Sequence, residues 1–192
     1  MIKIGILGDI GSGKSYVAKS FGYPVFNADT EVGKLYEKDR KIFKKLNKDL
    51  PRYIYSFPVN KNEISNAILA NKFNLGKIVK IIHLEIRKKM NIFLKKNKNK
   101  KIVILDIPLL LENKINKKND ILIFVQSKKQ DILKRLKKRT NFNSKLLNKF
   151  KNIQLSLDYK KKKSQFIIKN NFTKKSVKRS INQVLKEILQ NE

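Results

Sequence analysis

The order of apolar and polar positions divides the chain into alternating extended and helical segments. Residues 2–7 form a short β-branched run broken only by Lys3 and Gly5, which predicts a strand. A glycine-rich turn follows, then a helix over 14–21 that Gly22 and Pro24 close. Val25 and Phe26 reopen an extended segment that runs to Asp29. Over 31–94 the pattern is mainly helical, with a break at 51–62, and Ile78, Ile82, Ile86 and Met90 recur at every fourth position on one face. After a polar stretch at 97–101, the continuous apolar runs 102–106 and 121–125 read as buried parallel strands, and 165–168 as a weaker third. Ile132, Leu133 and Leu136 mark a helix between them. Val177, Ile181, Val184, Leu185, Ile188 and Leu189 form one apolar stripe on the last helix. Strands alternating with helices predict a three-layer α/β fold, a mostly parallel sheet flanked by helices, in which the helical stretch after Asp29 is an insertion.

Charge changes this picture less than its size suggests. The chain has 192 residues, 46 Lys+Arg against 15 Asp+Glu, and a formal net charge of +31. Such a chain attracts polyanions. Yet the basic residues are 40 Lys and 6 Arg, alongside 21 Asn and 25 Ile. Lys, Asn and Ile rising together are the mark of an AT-biased coding sequence, and Arg, which forks onto guanine edges and phosphates, is not enriched. The lysines are scattered through nearly every predicted helix, so they read as a solvated surface, and no specific nucleic-acid partner is expected. The absence of Cys excludes a disulfide framework, a thiolate zinc site and a thiol nucleophile. A single His excludes His-rich metal sites. No apolar run is long enough to span a membrane and the N-terminus lacks a signal-peptide pattern, so a cytoplasmic protein without membrane partners is expected; a monomer is the simpler expectation, with an oligomer left open.

The chemistry begins at Gly8-Asp9-Ile10-Gly11-Ser12-Gly13-Lys14-Ser15, which fits G-x-x-x-x-G-K-[ST] at every fixed position, between a predicted strand and a predicted helix. Glycines let the backbone close into a nest of N–H groups around phosphate oxygens, and the helix points its positive end at the same place. Lys14 would bridge the β- and γ-phosphates and the Ser15 hydroxyl would ligate Mg2+. Tyr16 stands where a dinucleotide fingerprint needs its last glycine, so the site is one for a nucleoside triphosphate. Asp106 ends the strand at 102–106, where it either lies near the metal or caps the next turn.

No N-K-x-D motif is present, which argues against a regulatory GTPase, and a motor or helicase needs a longer chain. A small phosphotransferase remains, requiring a base for the acceptor hydroxyl and cations for the transferring phosphoryl group. Asp29, at the end of the second extended segment, is either that base or the N-cap of the helix from Thr30. Arg135 and Arg139 stand four apart on one predicted helical face before a polar stretch at 140–145 suited to a mobile flap. In a chain that favours Lys, a retained Arg suggests forked hydrogen bonding, with a solvated helix face as the other reading. His83 shares a basic face with Lys80 and Arg87.

Taken together, the phosphate loop, Val25-Phe26-Asn27-Ala28-Asp29, Ile82-His83-Leu84, Asp106-Ile107-Pro108-Leu109-Leu110-Leu111-Glu112, Arg135 with Arg139, Gln154-Leu155 and Ile168 with Asn170 resemble the dephospho-CoA kinase family. The resemblance runs along most of the chain. Asp9 and Asn27 depart from its pattern, as do Leu84, Gln165, Lys169 and Phe172. It implies a P-loop kinase fold, with a nucleotide-binding core over 1–30 and 100–192, a lid near 138–152, and a helical insertion over 31–99 that receives the CoA precursor. The implied activity is ATP-dependent phosphorylation of the ribose 3′-hydroxyl of dephospho-CoA, with Mg2+. It further implies catalytic roles for Asp29, Lys14 and Arg139. ATP would be bound by Gly8, Gly11, Ser12, Gly13, Lys14, Ser15, Tyr16 and Asn170. Asp29, His83, Arg87, Pro108, Leu109 and Arg135 would bind the CoA precursor, while Ser15 and Asp106 would serve the metal. The alternatives are another P-loop nucleotide or small-metabolite kinase and a basic nucleic-acid-binding ATPase.

Overall fold

The computed structural model describes residues 1–140 and 142–190. The chain forms two compact units. The first comprises Met1–Asn27, Asn97–Phe142 and the chain from Gln154 onward; the second comprises Ala28–Lys96 and Asn143–Ile153.

The first unit is built on five parallel strands: β1 (Ile2–Gly8), β2 (Val25–Asn27), β3 (Ile102–Asp106), β4 (Ile121–Gln126) and β5 (Phe166–Lys169), in the order β2-β3-β1-β4-β5. Its helices are α1 (Lys14–Ser20), α6 (Lys129–Lys137), α8 (Leu157–Lys162) and α9 (Lys174–Gln190). Alternation along the strands decides what each face buries. Ile4 and Ile6 of β1, Ile102 and Ile104 of β3, and Ile123 and Val125 of β4 pack with Val17 and Ala18 of α1 and with Val177, Ile181, Val184 and Ile188 of α9. That stripe on α9 is the one its periodicity predicts, except that Leu189 is exposed.

On the opposite face Leu110 covers Gly5: a Cβ there would approach both Leu110 and Leu122 within contact distance. Leu110 is fully buried. Leu110→Ala is therefore expected to cost about 2–5 kcal/mol, read as a lower midpoint in a denaturant melt. Two residues on, the last of Pro108-Leu109-Leu110-Leu111-Glu112 accepts 2.8 Å from Lys160 Nζ and 3.0 Å from the Leu155 N–H. Lys160 is only 1% exposed and also donates to Gln154 Oε1 at 3.0 Å. A buried ammonium needs such partners.

The second unit holds α2 (Ala28–Lys38), α3 (Arg40–Asp49), α4 (Lys61–Ala70), α5 (Asn74–Lys96) and α7 (Ser144–Asn152). Asp39 separates α2 from α3 by capping the latter, its Oδ1 accepting from Lys41 and Ile42 N–H. Ile78, Ile82, Ile86 and Met90 are buried along α5 as their spacing predicts. Glu63 is buried at the start of α4, where it accepts from the backbone of Tyr55 and Ser56 and from the Ser56 hydroxyl. The stretch expected as a lid, 138–152, contains α7, which Asn143 caps and which packs against α4.

Two local expectations change. The second strand stops at Asn27 instead of running to Asp29, which lies in the first turn of α2 with Glu31. Carboxylates in that turn complement the helix dipole, so the helix starts directly off the strand. Likewise α6 ends at Lys137, and the Arg139 N–H bonds back to the Leu136 carbonyl at 3.1 Å. This three-residue closure places Arg139 in a turn past the helix, so it does not share a helical face with Arg135. Among the described residues no helix is long and apolar enough to cross a membrane.

Candidate active site

The phosphate loop joins β1 to α1, and its shape is held from the buried side. Gly8 has φ +145°, and a Cβ there would stand 2.7 Å from the Val125 carbonyl oxygen and 2.9 Å from Ser12 Oγ. Gly13, at φ +90°, forms the left-handed cap of α1, where a Cβ would overlap Asn170 Nδ2 and crowd Phe172. Only glycine fits both demands. Ser12 is completely buried, and its carbonyl accepts from Asn170 Nδ2 at 2.8 Å and from Ser127 Oγ at 2.9 Å. Asn170 is itself 2% exposed, with its Oδ1 accepting from the Phe172 N–H at 2.8 Å. Its side chain thus braces the loop from behind.

Lys14 folds back on the loop, its Nζ donating to the carbonyls of Gly8 at 3.1 Å and Asp9 at 2.8 Å. Asp9 turns its carboxylate onto its own loop, accepting from the Ile10 N–H at 2.7 Å. Ser15 and the half-exposed Tyr16 open α1.

Beside the loop, the register of β2 and β3 sets Asn27 opposite Asp106. The Asn27 amide donates to Asp106 Oδ2 and lies 3.4 Å from Ser15 Oγ. A hydroxyl and a carboxylate therefore share one neutral partner at the carboxyl edge of the sheet. That donor set suits Mg2+, which takes oxygen ligands, keeps waters, and needs only one or two protein groups beside nucleotide phosphates. Among the described residues no group of three His, Asp or Glu side chains forms an all-protein cage. Pro108 and Leu109, half-buried, follow β3 after the buried Ile107.

At the other flank, the Arg135 guanidinium sits 4.4 Å from the centre of the Phe172 ring. Phe172 has φ +64°, a left-handed conformation strained for a bulky side chain. Arg135 thus stacks on the segment that Asn170 fastens to the phosphate loop. Arg139 is exposed just beyond α6.

Asp29, His83 and Arg87 belong to the helical unit. His83 is half-buried on α5, with its Nε2 enclosed and unpartnered. Burial, with the Arg87 charge second, holds its imidazole below the ordinary value.

The sequence signals missed Ser127, whose hydroxyl reaches Ser12 across the sheet, and gave Asn27 and Phe172 only as departures from a pattern. Gln165 was another. In the structure its side-chain oxygen accepts from the Leu122 N–H at 2.7 Å, an acceptor task that an amide performs as well as a carboxylate.

The sequence profile of the dephospho-CoA kinase family matches residues 2–176. The chain belongs to the dephospho-CoA kinase family. A dephospho-CoA kinase of Wolbachia pipientis wMel is 33% identical over 179 residues, covering 91% of each chain. Among solved structures, a Thermus thermophilus protein superposes with a TM-score of 0.74 at 21% identity, over 97% of each chain. The dephospho-CoA kinase from Campylobacter jejuni does so at 0.65 and 21%, over 98% of each. These two likenesses establish the fold, a P-loop kinase sheet with its flanking helices.

Proposed function

We propose that this chain transfers the γ-phosphoryl group of ATP to the ribose 3′-hydroxyl of dephospho-CoA, giving coenzyme A and ADP. The observation that carries this reading is the complete phosphate loop, braced by Ser127 and Asn170, in a chain that matches the dephospho-CoA kinase family over residues 2–176. The loop nest and Lys14 bind the β- and γ-phosphates; with nucleotide present, Lys14 exchanges its two loop carbonyls for phosphate oxygens.

Asp29 is the base that takes the 3′-hydroxyl proton as the ribose oxygen bonds to phosphorus and the bond to the ADP oxygen breaks. It follows Asn27 by two residues, which the chain spans in no more than about 7 Å. Arg139 stabilises charge on the phosphoryl group in transfer. Ser15 and Asp106 would hold Mg2+, which neutralises charge on the β- and γ-phosphate oxygens. His83, Arg87, Pro108 and Leu109 serve the CoA precursor.

Arg135, set beside that precursor on the sequence pattern, is better taken with the nucleotide, because its guanidinium rests on Phe172 next to Asn170 and the loop. Phe172→Gly tests this. It removes a cation–π contact of about 0.5–1 kcal/mol at an exposed site and relieves left-handed strain of roughly 1–2 kcal/mol. Thermal stability is therefore expected to hold or rise. The KM for ATP should increase several-fold, with the KM for dephospho-CoA unchanged. If dephospho-CoA KM moved instead, Arg135 would belong to the acceptor.

The function itself is tested by an ATP-coupled assay with dephospho-CoA and a panel of nucleoside monophosphates. Turnover is expected with dephospho-CoA. Folded protein that phosphorylates a nucleoside monophosphate and leaves dephospho-CoA untouched would overturn the assignment.

A further inference from the structure

We propose that Asn27 is a positioning residue that assembles the Ser15–Asp106 pair before any metal binds; this deepens, and rests on, the kinase reading above. The parallel register places Asn27 and Asp106 on facing positions of β2 and β3. Asp106 is 2% exposed, and its Oδ2 accepts from the Asn27 amide. An ionised carboxylate only accepts, so the nitrogen end of the amide must face it. The same nitrogen stands 3.4 Å from Ser15 Oγ. One neutral group therefore touches both residues that would meet Mg2+, one from the start of α1 and one from the end of β3.

The neutrality of that group matters. A carboxylate left bare in a buried position is costly, and a hydrogen-bond donor offsets that cost without adding charge. A second carboxylate at position 27 would set two like charges on facing strand positions, and only a cation between them would relieve the repulsion. With Asn27 the pair is held by hydrogen bonding alone. The geometry needed at the phosphate site is then ordered in the metal-free protein, and metal binding does not have to organise it.

The test compares thermal melts of the full chain, without nucleotide, in EDTA and in millimolar MgCl2, for wild type, Asn27→Asp and Asn27→Leu. Calorimetric ATP binding over a Mg2+ series accompanies them. Wild type is expected to melt at nearly the same temperature in both solutions. Asn27→Asp should melt several degrees lower in EDTA and regain most of the loss in Mg2+. Asn27→Leu should melt lower in both and need several-fold more Mg2+ for half-maximal ATP binding.

The proposal is overturned if Asn27→Asp melts like wild type in EDTA, if wild type gains as much from Mg2+ as that variant, or if a folded Asn27→Leu shows an unchanged Mg2+ requirement. Should Asn27→Leu not fold, the melts of Asn27→Asp decide alone. A failure of the kinase reading would appear separately, as absent dephospho-CoA turnover by wild type, and would leave the melting comparison intact.

Discussion

Asp29→Asn is expected to fold, to bind both substrates, and to lose kcat by about 10²–10⁴-fold. The substitution keeps size and shape in the first turn of α2, where Asp29 lies beside Glu31. Removing one carboxylate from a helix N-terminus costs about 0.3–1 kcal/mol, too little to unfold the unit. What the amide cannot do is accept a proton. If Asp29 serves as base, the loss falls on kcat, while the KM for dephospho-CoA stays within a few-fold, because the amide still hydrogen-bonds a hydroxyl. Steady-state kinetics on the purified variant, with its melt as a fold control, make the comparison. A kcat within tenfold of wild type would return Asp29 to the other role its position allows, that of a charge stabilising the start of α2.

The second large effect belongs to Arg139. Arg139→Ala should lower kcat by about 10³-fold, the scale of an arginine clamp in phosphoryl transfer. Arg139 is exposed in the turn after α6, so its removal should change stability by no more than about 0.5 kcal/mol. Arg139→Lys separates charge from geometry. It restores a cation but not the planar fork, and recovery should be partial. Full recovery would mean that any nearby charge suffices, and no loss in the alanine variant would remove Arg139 from the mechanism.

The elements read from the sequence are those whose signal is local. The apolar runs of β3 and β4, the fourfold spacing along α5 and the stripe on α9 carry their burial within a few neighbouring residues. The phosphate loop is local too, since its eight residues supply both nest and cation. The features that escaped depend on partners far along the chain. Asn27 gains its meaning from Asp106, and Ser127 from Ser12; neither pairing has a period or a motif. Lys160 is harder still. It is one of 40 lysines, and only its enclosure with Glu112 and Gln154 separates it from the solvated majority. The end of β2 is ambiguous in the sequence because Ala28 and Asp29 suit a strand terminus and a first helical turn equally, and α2, with Leu35 buried, takes them. Asp29 is legible as a candidate base from its place at the end of the second extended segment, whereas the roles of His83 and Arg87 come from the family resemblance.

The strand order also governs how this protein is made. β1 is central, between β3 and β4, and its register with β3 begins at Ile2 and Ile102. The ribosome therefore delivers the middle strand of the sheet long before either neighbour. At about 5–20 residues per second, residues 2–8 wait roughly 5–20 s for β3 to appear. In that interval α1, β2 and the helices α2 to α5 emerge, while α7, which completes the helical unit, is still to come. Through that interval the apolar strand β1 stays without either of the neighbours that bury it in the finished sheet.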